Sequence, residues 1–180
     1  MYVAIGACLL IGFLSGVVFT IYKSPGGSGG QAQNVAQQQN NGQDLAALEK
    51  QAAESPDDPE IWTHLGHAYF DADDYAKAIN AYSKSLELAP GNADVLTDLG
   101  VMYRRNGQPD KALESFNKAI AASPNHEQPR FNKGVVLMFD KKDKAGAIKV
   151  WEELLTINPM ATAPNGQPLK DLITEMKKKP

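Results

Sequence analysis

Residues 59–69 read Pro59-Glu60-Ile61-Trp62-Thr63-His64-Leu65-Gly66-His67-Ala68-Tyr69, and the chain returns to this layout at a fixed interval. Gly66, Gly100 and Gly134 lie 34 residues apart, as do Pro56, Pro90 and Pro124. After the first segment come Ala78, Tyr82 and Pro90. The second keeps Leu96, Leu99, Gly100 and Tyr103, then Ala112, Phe116, Ala119 and Pro124. The third has Gly134 and Leu137, then Ala147, Trp151, Leu154 and Pro159. Self-similarity at such a period means that each unit buries its apolar face on its neighbour, so the architecture is a stack. No strand-like alternation of useful length appears, and the fold class is all-α.

Gly66 and Gly100 fall in mid-helix, where glycine costs roughly 1 kcal/mol against alanine. A helix contact with no room for a side chain offsets that cost. The reading makes Ala78, Ala112 and Ala147 the small partners on the facing helices, with Tyr69, Tyr82, Tyr103 and Phe116 filling the space beside them. Pro90 and Pro124 lack an amide hydrogen and end one hairpin before the next begins. Asp58 before Pro59 suits an N-cap followed by proline at the first helical position. Pro109–Asp110 suits a first turn, with the acid at the positive end of the helix dipole.

This pattern resembles the tetratricopeptide repeat (TPR), a 34-residue helix–turn–helix unit reading W-x2-L-G-x2-Y, then A-x3-F, then P. The first two copies match at nearly every key position. The third departs: Arg130 and Lys133 replace its first two apolar positions, and Ala147 and Pro159 fall one place late. The reading places that extra residue in the turn, around Lys141 to Gly146. The resemblance covers 44–180 and implies an all-α TPR superhelix of about three repeats, at 59–92, 93–126 and 127–161. A half repeat precedes them at Asp44 to Ser55 (DLAALEKQAAES), with Leu48 where Tyr82 and Phe116 fall. A capping helix follows at 168–179, where Leu169, Leu172, Ile173 and Met176 share one face.

Tyr2 to Tyr22 contains no charged residue, and Lys23 follows at once. As a helix, that stretch spans about 31 Å, close to the hydrocarbon thickness of a bilayer. Residues 1–23 are therefore expected to be a transmembrane signal-anchor helix, entering the membrane through residues 2–22. A cleaved signal peptide is the alternative, against which stand the missing basic n-region and the long apolar run. Residues 24–43 carry no charge and almost no large apolar side chain. They read as a flexible Gly/Ser/Gln-rich linker, with an r.m.s. span of about 25 Å. The layout predicts a bacterial inner-membrane, single-pass protein with its repeats in the periplasm. Positive charge alone leaves that topology close to a tie. Gly12-x-x-x-Gly16 allows two such helices to pack, so a homo-oligomer stays open.

The chain's net charge is −3 and no basic stripe is visible, so no nucleic acid partner is expected. Its single cysteine, Cys8, lies in the apolar run, which removes disulfide exchange, CxxC zinc sites and covalent haem attachment from the repeat region. His64-x-x-His67 supplies two imidazoles on one helix face, too few for a structural zinc site. No metal, cofactor or catalytic residue is expected, and the reading is not an enzyme. Asp57–Asp58 and Asp73–Asp74 read as helix caps at turns.

In TPR proteins the first helix of each hairpin lines a concave groove. The resemblance carries this role to Thr63, His64, His67 and Phe70, to Thr97, Asp98, Val101, Arg104 and Arg105, and to Phe131, Asn132, Val135, Met138 and Phe139. That mixture suits an extended peptide or a partner helix. Some TPR domains hold a C-terminal carboxylate with a Lys/Asn/Arg clamp; here those positions are Thr63, His67, Thr97 and Asp98, so the clamp is missing. The layout and the stretches DLAALEKQAAESPDDPEIWTHLG and AIKVWEELLTINP also look like the periplasmic TPR assembly factors of bacterial cytochrome c maturation. That likeness implies a non-catalytic chaperone holding apocytochrome c for haem attachment. The alternatives are a scaffold for another envelope assembly (a pilus, secretion or cell-wall complex) and a self-assembling organiser of a membrane surface.

Overall fold

The computed structural model describes residues 44–178. Among them lie α1 (44–54), α2 (Pro59–Asp71), α3 (Tyr75–Leu88), α4 (Ala93–Arg105), α5 (Pro109–Ala122), α6 (Glu127–Val135), α7 (Lys144–Ile157) and α8 (Leu169–Lys178). α6 runs on into a π-helical turn at Val136–Asp140. The one β feature among the described residues is an isolated bridge between Thr162 and Pro168. The expected membrane span and linker lie outside the described residues. None of the described helices is long and apolar enough to cross a membrane.

Local chemistry sets the helix starts. The carboxylate of Asp58 accepts from the Glu60 amide at 2.9 Å, Asp74 from Lys77 at 3.1 Å, and Asp143 from Gly146 at 2.8 Å. The Asn92 side chain serves both Asp94 and Val95. Each satisfies an amide that the helix itself leaves without an acceptor. α5 has no such cap and opens on Pro109 instead, which needs none. Helices α2 and α3, α4 and α5, and α6 and α7 pair as hairpins; α4 then docks on α3, α6 on α5 and α8 on α7. Thus α8 follows the third hairpin as the first helix of a further unit would.

The glycines explain the close pairing, with a correction to the expected partners. A Cβ on Gly66 would lie 2.5 Å from the Tyr82 ring, and one on Gly100 2.5 Å from the Phe116 ring. At Gly134 it would strike the Trp151 indole. The aromatic rings press on the bare helix backbone, whereas Ala78, Ala112 and Ala147 are not what the missing side chain makes room for. All three rings are buried, at 2% exposure or less. The Trp151 indole also donates to the Phe131 carbonyl at 3.0 Å.

A second correction concerns the extra residue of the third repeat. The turns are equally long in all three hairpins: 72–74, 106–108 and 141–143. In each, the middle residue is left-handed: Asp73 (φ 55), Gly107 (φ 71) and Lys142 (φ 58). The additional residue is taken up inside the first helix, as the π turn. There the Lys141 amide reaches back five residues to the Val136 carbonyl at 3.0 Å. A π turn accommodates one more residue per bonded loop than an α turn, so the hairpin closes unchanged.

Both ends of the stack are covered. From α1, Ala52 is buried in the first core cluster, with Leu45 and Leu48 against it. Tyr69 donates to Glu49 at 2.6 Å. Burial first, and that acidic partner second, push the Tyr69 phenol up to about 12. At the other end Leu169 and Ile173 join Trp151 and Leu154 in one cluster, and Lys177 pairs with Glu152 at 2.6 Å. The chain enters α8 through a tight reversal: the Gly166 amide bonds the Ala163 carbonyl at 2.8 Å, with Gly166 at φ 82.

Candidate peptide-binding groove

The first helices α2, α4 and α6 form one face of the stack, and polar contacts step across it from layer to layer. His67 Nε2 on α2 lies 3.3 Å from Asp98 Oδ2 on α4. Arg104 meets Asp140 at 2.5 Å, and Arg105 meets Asp73 at 3.3 Å. His126, at the start of α6, lies 3.2 Å from Asp94. The Arg105 guanidinium also sits 4.9 Å from the centre of the Phe70 ring and 5.8 Å from that of Tyr75. Such a stacked cation contributes on the order of 0.5–1 kcal/mol at an exposed site. Burial raises the pKa of Asp98; the His67 contact pulls it back, and Asp94 one turn away pushes it further up.

The expected groove residues divide into three groups. His67, Arg104 and Phe139 carry their side chains to the surface, together with Arg105 and His64. Phe139, at 55% exposure, is one of two large apolar side chains left open among the described residues; Met160 is the other. Phe70, Val101, Phe131, Val135 and Met138 are half-buried. Val101 packs with Ala112, Phe116 and Val136, while Phe131 stacks on Trp151 with ring centres 6.0 Å apart. Val135 and Met138 pack on the cluster that α8 completes. The threonines turn away from any ligand. Thr97 is 1% exposed and donates to the Ala93 carbonyl at 2.7 Å, so its assignment to the groove is corrected. Thr63 bonds Ser85 on α3 at 2.7 Å and the Pro59 carbonyl at 3.0 Å. A β-branched hydroxyl residue on the hairpin's inner side satisfies itself on the preceding turn.

Four contributors escape the residue-by-residue carry-over: Asp94, His126, Asp140 and Asp73. Asp94 had a visible signal, being one helical turn before Asp98 on the same face. Asp140 had none, because the π turn sets its direction. Asp73 is a turn residue that holds Arg105 of the next layer, whereas Asp74 is the cap. Among the described residues no group of three or more His, Cys, Asp or Glu could hold a metal ion.

A cavity of about 760 Å³ lies on the other face of α4, between α3 and α5, floored by Leu86, Leu96, Leu99 and Tyr103. It contains none of the residues that make contacts between layers on the first-helix face. A smaller cavity of about 410 Å³ sits between α6 and the 162–166 reversal, beside Phe131.

Two tetratricopeptide repeat models match the chain, over residues 57–125 and 97–161. No curated protein sequence matches it. Among solved structures, MamA superposes with a TM-score of 0.66 at 21% identity, covering 80% of this chain and 88% of that one. The first TPR of Spaghetti (RPAP3), bound to the HSP90 peptide SRMEEVD, gives 0.58 at 20% identity, over 67% and 90%. The Sgt2 TPR domain from Aspergillus fumigatus gives 0.57 at 26%, over 67% and 78%.

Proposed function

Since the chain belongs to the tetratricopeptide repeat family, we propose that the face formed by α2, α4 and α6 holds an extended or helical segment of a partner protein close to a membrane. The observation that carries this reading is Phe139, 55% exposed at the end of that face beside the half-buried Val135 and Met138. An exposed aromatic next to a partly covered apolar strip is an anchor for a partner side chain. The peptide seated in the RPAP3 domain supports the same mode of use.

The tether is residues 2–22, followed by the uncharged 24–43 linker. It keeps the repeats near one membrane and raises their effective concentration towards partners there. The layout and the stretches 44–66 and 147–159 support apocytochrome c, held for haem attachment on the periplasmic side, as the partner. The role is binding, with no chemical step.

The test is in-cell photocrosslinking with a photoreactive residue at Val101 or at Phe139, and at Leu86 in the opposite cavity as control. Capture of apocytochrome c or haem-lyase subunits from Val101 and Phe139, and not from Leu86, is the expected result. Capture of other envelope proteins from the same positions would replace the partner and keep the groove. Crosslinks from Leu86 alone would overturn the groove.

A further inference from the structure

We propose that the centre of this face takes a basic side chain, a lysine or arginine of the partner segment, between Asp94 and Asp98. The inference rests on the peptide-holding role proposed above and names the chemistry of what is held.

The argument begins with what the face has already neutralised. The two arginines of α4 are committed to aspartates of the same chain, Arg104 to Asp140 and Arg105 to Asp73. Neither is available to an acidic partner without breaking an existing pair. Asp94 and Asp98 are left, one helical turn apart on α4, where like charges repel each other. Their facing groups are imidazoles, His67 on α2 at 3.3 Å and His126 at the head of α6 at 3.2 Å; only His67 makes a hydrogen bond, and the buried His126 Nε2 makes none. An imidazole carries a charge only when protonated, whereas a lysine or arginine side chain brings a permanent one to the two carboxylates. Asp98 is the more confined, with its side chain 27% exposed against 84% for Asp94.

A second observation points to the same spot. Tyr82 is fully buried, yet its hydroxyl has no hydrogen-bond partner. Its ring lies under α2 against Gly66, edge-on to His67 at 5.5 Å, and Asp98 is the carboxylate that acts on it most strongly. Buried polar atoms are ordinarily satisfied, and those that are not mark places where something is missing. A cation arriving at Asp98 supplies a counter-charge beside this unsatisfied group. An acidic segment would meet two carboxylates on α4, where both arginines already face aspartates. The charge pattern is thus the reverse of a carboxylate clamp, and it selects a segment with a basic centre and an apolar end that reaches Phe139.

The experiment uses the full chain in detergent micelles and phage-displayed random dodecapeptides as probe. The recovered peptides are synthesised and their Kd measured by fluorescence anisotropy. Enrichment of lysine and arginine is expected, with binding weakened at least about tenfold by Asp94→Asn together with Asp98→Asn, the range for a charge-assisted contact. The pair Glu87→Gln and Glu114→Gln, on the opposite cavity, should leave Kd unchanged. Neutral or acidic peptides, or basic ones that ignore the aspartate changes, would overturn the inference. If those peptides still lose affinity with Phe139→Ala, the groove reading survives it. Peptides insensitive to Phe139→Ala and Val101→Glu, or no recovery at all, would remove the groove reading as well.

Discussion

The first two hairpins and the third solve one packing problem with different parts. In α2–α3 and α4–α5 a glycine faces a single aromatic ring, Tyr82 or Phe116, and the helices keep α geometry from cap to turn. In α6–α7 the ring is the larger Trp151, its indole bonds the Phe131 carbonyl, and the first helix ends in a π turn. The first pair is sequence-regular. The third is held by one large side chain and by the cap that α8 lays over it. A repeat can therefore drift from its pattern when its central ring grows and a neighbour covers the remainder.

Removing the rings should break this contrast. Trp151→Ala is expected to cost about 3–5 kcal/mol, as for a fully buried large side chain, and to release the Phe131 carbonyl besides. Because repeats touch only their neighbours, hydrogen exchange should show the loss in α6–α8 before α2–α3. Equal loss of protection throughout would mean that the stack unfolds as one body.

Filling the glycines tests the same contacts from the other side. Gly100→Ala places a methyl 2.5 Å from a buried ring. Overpacking costs about 1–3 kcal/mol, against about 1 kcal/mol gained in helix propensity, so a net loss is expected by urea denaturation. A more stable variant would show that the rings have room to slide.

Tyr82 and Phe116 occupy the same place in successive repeats and differ by one hydroxyl. Since that hydroxyl is buried without a partner, Tyr82→Phe should raise stability by about 1 kcal/mol. A loss would reveal a partner, such as a bound water, that the phenol uses.

The smallest effect lies in the charge of the middle layer. Burial holds the Asp98 pKa above 3.8, so the folded state binds its proton more readily than the unfolded state. Its ionised form therefore costs stability at neutral pH. Relative to Asp98→Asn, the wild-type protein should gain stability as pH falls through the raised value towards 3.8, and then level off. Parallel urea midpoints for the two proteins across that window would show that His67 already cancels the burial cost.

The period made the fold legible, because Gly66, Gly100 and Gly134 with their prolines need only be counted. The caps were legible too at Asp58 and Asp74, whose side chains reach amides two or three residues away. The groove was harder to read. Thr97 stands where a ligand contact is expected by position, but its hydroxyl prefers the backbone one turn behind. Asp140 and Asp94 act across layers, and no local pattern reports a partner 36 or 32 residues away. The late Ala147 did reveal an added residue; the count alone could not say whether turn or helix had absorbed it.

Anyone transplanting a binding surface between these repeats must respect a change of frame. Up to Val135 a side chain maps onto the third repeat by adding 34; beyond Asp140 it maps by adding 35, so that Gly107 corresponds to Lys142 rather than Lys141. Between the two frames five residues, 136–140, stand where the second repeat has four, 102–105, and Phe139 is among them. A graft made by simple alignment would aim its last contacts about 100° away from their target.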